Sequence, residues 1–241
     1  MMKMRKCFFL SGALLPLFVS CTAGVQGRLA ADGSGEFAVS TSLEPRTAAL
    51  IRSLKTMGGS SAGTEAILDG EGIARSMSSA PGVRSVSFRN TGSRSIEGPL
   101  SISRIGDFLA PAGGKGGFIT LEQGAGGVSR LAVVMNRASA PEILSLVSAE
   151  VSDYLAALMA PLVTGEELTK TEYLSLVASI YGQGTADEIA RGTIQAAVDF
   201  PGQVNSVRGG SRSGKRAEFT VPLLDVLVLE TPLSYEVTWT P

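Results

Sequence analysis

The sequence predicts an α+β fold in which helices pack on one face of an antiparallel sheet. Strand patterns and helix patterns occur in separate blocks, whereas a parallel α/β sheet needs them to alternate. Several short segments between residues 82 and 135 are separated by Gly- and Ser-rich turns, which is typical of an antiparallel meander. The last segment, residues 233–240, alternates apolar and polar side chains and is the clearest strand in the chain.

The first elements of the domain are a strand and two helices. A strand is predicted over Glu36–Leu43, where alternate side chains share one face. Pro45 begins a helix with apolar residues at helical spacing, and Gly58 ends it. A weaker helical pattern with internal glycines extends from Thr64 to about Met77. The predicted meander follows, with strands over Val83–Phe88, Leu100–Ile105, Gly117–Leu121 and Val128–Met135.

Helical patterns return in the second half. The longest starts at Pro141 and continues to Leu162, with apolar residues at three- and four-residue steps. Thr169–Glu172 is a capping-box sequence, and the helix that it begins ends at Gly182. The same spelling recurs at Thr185–Glu188 and predicts a short helix.

The C-terminal block is again mostly strand. Residues 193–200 alternate, and two further strands over Gln203–Val207 and Ala217–Val221 flank a polar turn at Arg208–Arg216. The apolar segment Pro222–Glu230 fits either a buried helical turn or another strand, because periodicity alone does not separate the two.

Composition excludes several classes of chemistry. The 241 residues include no histidine and two cysteines, so a Ser-His-Asp triad, a His-containing metal site and a four-cysteine zinc or iron–sulfur site are absent. The formal net charge is −1, which does not suit a nucleic-acid binder.

The N-terminus has the layout of a secretory signal. Lys3, Arg5 and Lys6 precede an apolar run that is too short for a comfortable membrane-spanning helix, which needs about 20 residues. The residues Phe18-Val19-Ser20-Cys21 resemble the bacterial lipobox, in which the cysteine after a small residue becomes the acylated first residue of the mature chain. An ordinary cleaved signal peptide with a chance cysteine is the alternative.

The lipobox resemblance predicts a lipoprotein signal peptide over residues 1–20. The short, polar and Gly-rich stretch that follows predicts a flexible tether over 21–35, with glycines at 24, 27, 33 and 35. A single α+β domain is predicted over 36–241. Acyl chains such as palmitate on Cys21 would hold the chain at a membrane of the bacterial cell envelope, each buried CH₂ contributing about 0.8 kcal/mol. Under the common sorting rule for lipoproteins, Thr22 in place of Asp favours the outer membrane and its periplasmic side.

One glycine-rich motif invites a phosphate-binding interpretation. Gly209–Arg216 comes within one residue of the phosphate-loop pattern, but Arg216 stands where Ser or Thr would hold magnesium, and a strand pattern follows. A basic hairpin turn is therefore predicted. Contact of the basic cluster Arg208, Arg212, Lys215 and Arg216 with anionic lipid headgroups is a further alternative.

No catalytic residue, metal ligand or cofactor is expected. No lysine after Cys21 has the Ser-x-x-Lys spacing of a serine–lysine hydrolase. The pairs Glu166-Glu167 and Asp187-Glu188 stand at predicted helix starts, where acidic residues favour the helix dipole. An enzyme with an Asp/Glu/Tyr site built from distant residues stays open as a less favoured hypothesis.

Two stretches resemble envelope lipoproteins of the mycobacterial LppM type. They are Ala31–Val39, with its Asp-Gly-Ser-Gly lead-in, and the C-terminal pair Pro222–Leu227 and Pro232–Trp239. The resemblance implies a curved sheet packed on helices and a link to binding of membrane glycolipids. It transfers no binding residue to this chain.

The hypothesis favoured by the sequence is a noncatalytic, lipid-anchored module that binds an envelope lipid or other amphiphile. Large apolar faces are most simply core, but a sheet and helices that close incompletely leave an apolar cavity. The alternative function is a structural or assembly partner of an envelope protein complex. The candidate lining residues are Tyr154, Leu158, Phe200, Tyr235 and Trp239.

Overall fold

The computed structural model describes residues 22–57, 67–109, 118–124, 127–139, 158–159 and 164–241. The helix expected over Pro141–Leu162 lies outside the described residues, apart from 158 and 159. Signal residues 1–20 and Cys21 also lie outside them.

The described strands form two sheets. The strands are β1 (Thr22–Leu29), β2 (Gly35–Ser42), β3 (Val83–Val86), β4 (Arg89–Gly92), β5 (Ser95–Ile102), β6 (Ile119–Gln123), β7 (Ser129–Met135), β8 (Thr193–Asp199), β9 (Gln203–Arg208), β10 (Gly210–Ser213), β11 (Arg216–Pro222) and β12 (Leu233–Thr240). Sheet A has the order β10-β11-β8-β1-β2-β5-β3, with β4 also paired to β5, and sheet B has the order β6-β7-β12-β9. Pairing is antiparallel except between β1 and β8. The predicted α+β class is confirmed, and the meander supplies strands to both sheets.

Helices account for most of the remaining described residues. They are α1 (Pro45–Met57), α2 (Gly70–Ser78), α3 (Ile105–Leu109), α4 (Lys170–Tyr181), α5 (Gln183–Arg191) and α6 (Leu223–Val228), with a 3-10 turn at Arg137–Ser139. The ambiguous segment after Pro222 is therefore helical. The capping box at Thr169 is confirmed, because its hydroxyl accepts from the Glu172 amide and the Glu172 carboxylate accepts from the Thr169 amide.

The structure corrects the prediction of a flexible tether over residues 21–35. Thr22–Leu29 is a central strand of sheet A, hydrogen-bonded to β2 on one side and β8 on the other. Two of the glycines that suggest a tether, Gly24 and Gly27, lie within this strand. A Cβ on Gly27 would collide first with the Glu36 carbonyl and also with Phe37 on the neighbouring strand, so glycine is needed at this position. The ordered domain therefore begins at least as early as Thr22.

Helices gather at the end of sheet A where β1 begins. The end row of the sheet is formed by Ser42, Thr22, Thr193 and Pro222, which are register partners on neighbouring strands. Helices α1, α5 and α6 each connect to this row through at most two residues. A helical core fills this end, made of Leu50, Met159, Tyr173, Val177, Ala186, Ile189, Leu224, Leu227 and Val228.

The second capping-box sequence, Thr185–Glu188, does not cap the helix that contains it. α5 begins at Gln183, so Thr185 lies inside it and donates its hydroxyl to the Tyr181 carbonyl at 2.9 Å. Glu188 instead accepts from the backbone amides of Arg46 and Thr47 at 2.9 and 2.8 Å. A residue of α5 thus caps α1, a pairing that local sequence cannot reveal.

The two sheets pack face to face over part of their area. A core between them consists of Leu29, Phe200, Val204, Ala217, Val237 and Trp239. The polar turn expected over Arg208–Arg216 contains an extra strand, β10, because Gly209 (φ 76°) lets the chain leave sheet B and join sheet A.

Candidate functional site

The inner face of sheet A is apolar because side chains alternate along each of its strands. On β2, Phe37 and Val39 point to this face, while Glu36 and Ala38 point to solvent. Residues paired in register on neighbouring strands point to the same face of the sheet. Val39 pairs with Val25, and Val25 pairs with Ala196, so all three point to the inner face. Sheet B and α6 cover the β8–β11 half of the face, and α2 and α3 cover the β2–β5 half.

A cavity of about 430 Å³ lies between the β2–β5 half and its helical cover. This volume falls in the range of about 300–1,000 Å³ that small-molecule sites occupy. None of the described residues that line it is charged, so these walls suit an apolar group. The lining residues are Val25, Phe37, Val39, Thr41, Leu68, Ile73, Met77, Phe88, Ile96, Leu100, Ile102, Ile105 and Phe108.

Hydrogen bonds at the N-terminus of α2 hold the cover in place. The Asp69 side chain caps the helix by accepting from the Gly72 amide at 2.9 Å. Asn90, on β4, accepts from the Gly70 amide at 3.1 Å and donates to the Leu68 carbonyl at 2.6 Å. These bonds fix α2 to the sheet, and Ile73 and Met77, one turn apart, then reach the cavity.

A second cavity, of about 220 Å³, lies between β8–β11 of sheet A and β7–β12 of sheet B. Tyr235 contacts Phe219 edge to face in its wall, with ring centroids 6.0 Å apart. Burial raises the pKa of the Tyr235 phenol. Glu236 is the charged residue of the lining, and its pKa is lowered by a 2.7 Å hydrogen bond from Arg130.

The five candidate lining residues do not form one site. Phe200 and Tyr235 both line the smaller cavity. Trp239 stacks on Phe200 with centroids 4.6 Å apart and lines a different hollow beside Arg104. Leu158 lines a groove among the helices at the β1 end of the sheet. Tyr154 lies outside the described residues. Alternation of side chains identifies the apolar face of a strand, but it does not show which parts of that face stay uncovered. For this reason the candidates chosen from alternation lie in different places.

The larger cavity was not foreseen from the sequence, although part of its signal was present. Alternation in β2 marks Phe37, Val39 and Thr41 as one face. The sequence predicts a strand over Leu100–Ile105, whereas β5 spans Ser95–Ile102 and brings Ile96 into the lining. The interruption Gly98-Pro99 hides this strand, and Gly98 is required because a Cβ there would meet the Ser87 carbonyl.

The basic segment resembling a phosphate loop forms a hairpin. Ser213 pairs with Arg216 across the two-residue turn Gly214-Lys215, with φ 58° at Gly214. Arg216 forms ion pairs with Asp199 at 3.1 Å and with Glu218 at 2.9 Å. The hairpin lies at the end of sheet A opposite Thr22, because Arg216 is paired with Asp199 at the last position of β8. It is therefore remote from the residue that follows Cys21.

Glu188 is the buried acidic side chain among the described residues, and its contacts are structural. One of its oxygens accepts from two backbone amides of α1 and lies 3.2 Å from the Thr47 hydroxyl. Within the same described ranges, no group of three acidic or cysteine side chains is arranged to hold a metal ion. No described helix is long and apolar enough to cross a membrane.

These features define a two-sheet α+β domain with apolar cavities on the inner face of its larger sheet. No family model matches the chain, and no curated protein matches it. Among solved structures, the chain is similar to the folded domain of the Mycobacterium tuberculosis LppM protein, solved by NMR. The identity is 11%, the TM-score is 0.43, and the match covers 92% of this chain and 90% of that one. A likeness of this extent carries no argument about the function of this chain.

Proposed function

We propose that the protein is a noncatalytic, lipid-anchored module of the bacterial cell envelope that binds the apolar part of a lipid or other amphiphile. The larger cavity on sheet A is the observation that carries this proposal. It offers about 430 Å³, and its described walls are apolar and uncharged.

Burial of hydrocarbon supplies the binding energy. Each methylene group transferred from water into apolar surroundings contributes about 0.8 kcal/mol, so a chain of several carbons binds without any charged contact. Among the described lining residues, Thr41 carries a hydroxyl group and is the polar side chain that the cavity offers.

The proposed anchor is consistent with the position of β1. Thr22 is already paired in the end row of sheet A, so an acylated Cys21 would hold this end of the domain close to the membrane surface. Palmitate labelling of the wild type and of Cys21→Ser tests the anchor. We expect label and membrane association in the wild type and neither in the variant; label retained by the variant contradicts the anchor.

Cavity filling tests amphiphile binding. In the full chain with Cys21→Ser, so that no acyl group of its own competes, Val39→Trp places an indole in the cavity. Ala38→Trp, the next residue on the same strand, places the same group on the solvent face. Native mass spectrometry with monopalmitoyl phosphatidylcholine should show one bound molecule for Ala38→Trp and at least tenfold weaker binding for Val39→Trp. Equal binding by the two variants, or none by the parent, refutes the assignment.

A further inference from the structure

Two cavities share the inner face of sheet A, one of about 430 Å³ and one of about 220 Å³. We propose that they are the two arms of a single site and that its ligand is an amphiphile with two apolar chains. This inference rests on the proposed function, and it adds the class of ligand.

Strand register places the two cavities side by side. Val25 lines the larger cavity and Ala196 lines the smaller one. They are register partners on the parallel pair β1 and β8, so they share a face and lie about 4.8 Å apart. The same row continues to Val39 on one side and Phe219 on the other, each lining the cavity on its own side.

The boundary between the cavities is incompletely covered. Val25 and Ala196 belong to two central strands of an eight-stranded sheet, yet both are only half-buried. On sheet B, by contrast, Val204 and Val237 are almost completely buried in the core between the sheets. The described parts of the two covers therefore leave some of the β1–β8 row exposed, and the junction of the two proposed arms lies over this row.

The small volume of the second cavity indicates that it is one arm of a larger binding site and not a separate ligand site. Its volume lies below the usual range of about 300–1,000 Å³ for ligand sites, whereas that of the larger cavity lies within it. The described walls of both are mainly apolar. Glu236 is the carboxylate among the described lining residues of the smaller cavity, and it accepts a hydrogen bond from Arg130. A second hydrocarbon chain suits this arm better than a polar group does.

Blocking the smaller arm alone tests the inference. Ala196→Phe fills the arm at its junction with the larger cavity, Ala196→Leu does so more mildly, and Gln195→Phe places the same ring on the exposed face of β8. Each change is made in the full chain with Cys21→Ser. The two probes are dioctanoyl phosphatidylcholine, which has two chains of eight carbons, and monopalmitoyl phosphatidylcholine, which has one of sixteen. They carry the same head group and the same number of chain carbons.

We expect Ala196→Phe to weaken binding of the two-chain probe at least tenfold and that of the one-chain probe less than twofold. Ala196→Leu should act in the same direction, and Gln195→Phe should change neither. Equal retention of both probes by the Ala196 variants overturns the two-chain inference while lipid binding stands. Equal loss of both also overturns it, because the cavities then do not act as separate arms. Failure of the parent to bind either probe refutes the proposed function itself.

Discussion

Glu188 provides the sharpest test of how the helical end of the domain is assembled. Replacing it by alanine removes one carboxylate oxygen that accepts from the amides of Arg46 and Thr47 and lies 3.2 Å from the Thr47 hydroxyl. Thr47 is 2% exposed, so water cannot readily replace the lost acceptor there, whereas the bond of the Arg46 amide is only partly buried and water reaches it more easily.

The expected loss follows from those contacts. A hydrogen bond to a charged group contributes about 1.5–3 kcal/mol, and replacing a helix N-cap by alanine costs about 0.5–2 kcal/mol. Because one of the two amides regains water, we expect Glu188→Ala to lower the free energy of unfolding by about 2–4 kcal/mol. Glu188→Gln keeps an oxygen acceptor without the charge and should cost about 1 kcal/mol.

Urea unfolding measures this loss through Trp239, the single tryptophan, which is buried in the core between the sheets. Far-UV circular dichroism follows the helices in the same samples. Asp187→Ala is the matched control, since its exposed bond with Gln183 in the same helix contributes at most about 0.5 kcal/mol. A loss for Glu188→Ala no larger than that of Asp187→Ala refutes the capping argument.

Three further predictions concern the core, the strand crossing and acid stability. Trp239→Ala removes a 3% exposed ring from the core and should cost about 3–5 kcal/mol by urea unfolding followed by circular dichroism; a loss under about 1 kcal/mol contradicts this placement. Gly209→Ala combines a positive φ with a collision against the Tyr235 ring and should cost about 2–4 kcal/mol, whereas Gly214→Ala, with open space around it, should cost about 1 kcal/mol; similar melting temperatures for the two variants refute the contact. The backbone and hydroxyl hydrogen bonds of the capping box lower the pKa of Glu172, so its contribution is present above the pKa of the unfolded chain and is lost as pH falls through the lower folded value. Glu172→Gln should therefore flatten the acid side of a plot of melting temperature against pH, and an unchanged slope argues against this linkage.

Elements with a local signal were predictable from the sequence. Residues close together in the chain define the alternation of β12 and β2 and the capping box of α4. Each of these features is present in the structure. A basic hairpin turn in place of a phosphate loop was also predictable, because Arg216 and the strand pattern after it do not suit a phosphate loop. The extra strand β10 within that turn was not.

Other features depend on partners that are distant in the chain. A Gly-rich stretch forms the central strand β1 because its backbone amides and carbonyls hydrogen-bond to β2 on one side and β8 on the other. Glycine at 27 also lets β2 approach without a collision with Glu36 and Phe37. In the capping-box sequence Thr185–Glu188, the Glu188 side chain caps α1 and not its own helix, because the first amides of α1 lie beside it.

The sequence by itself determined which faces are apolar, the segregation of strands from helices and the absence of histidine chemistry. Tertiary structure alone decided where those apolar faces stay uncovered. Alternation sets only the side of the sheet to which a side chain points. The volume left over β1, β2 and β8 depends on how far α2, α3 and sheet B reach across that side, and packing between distant elements sets that reach.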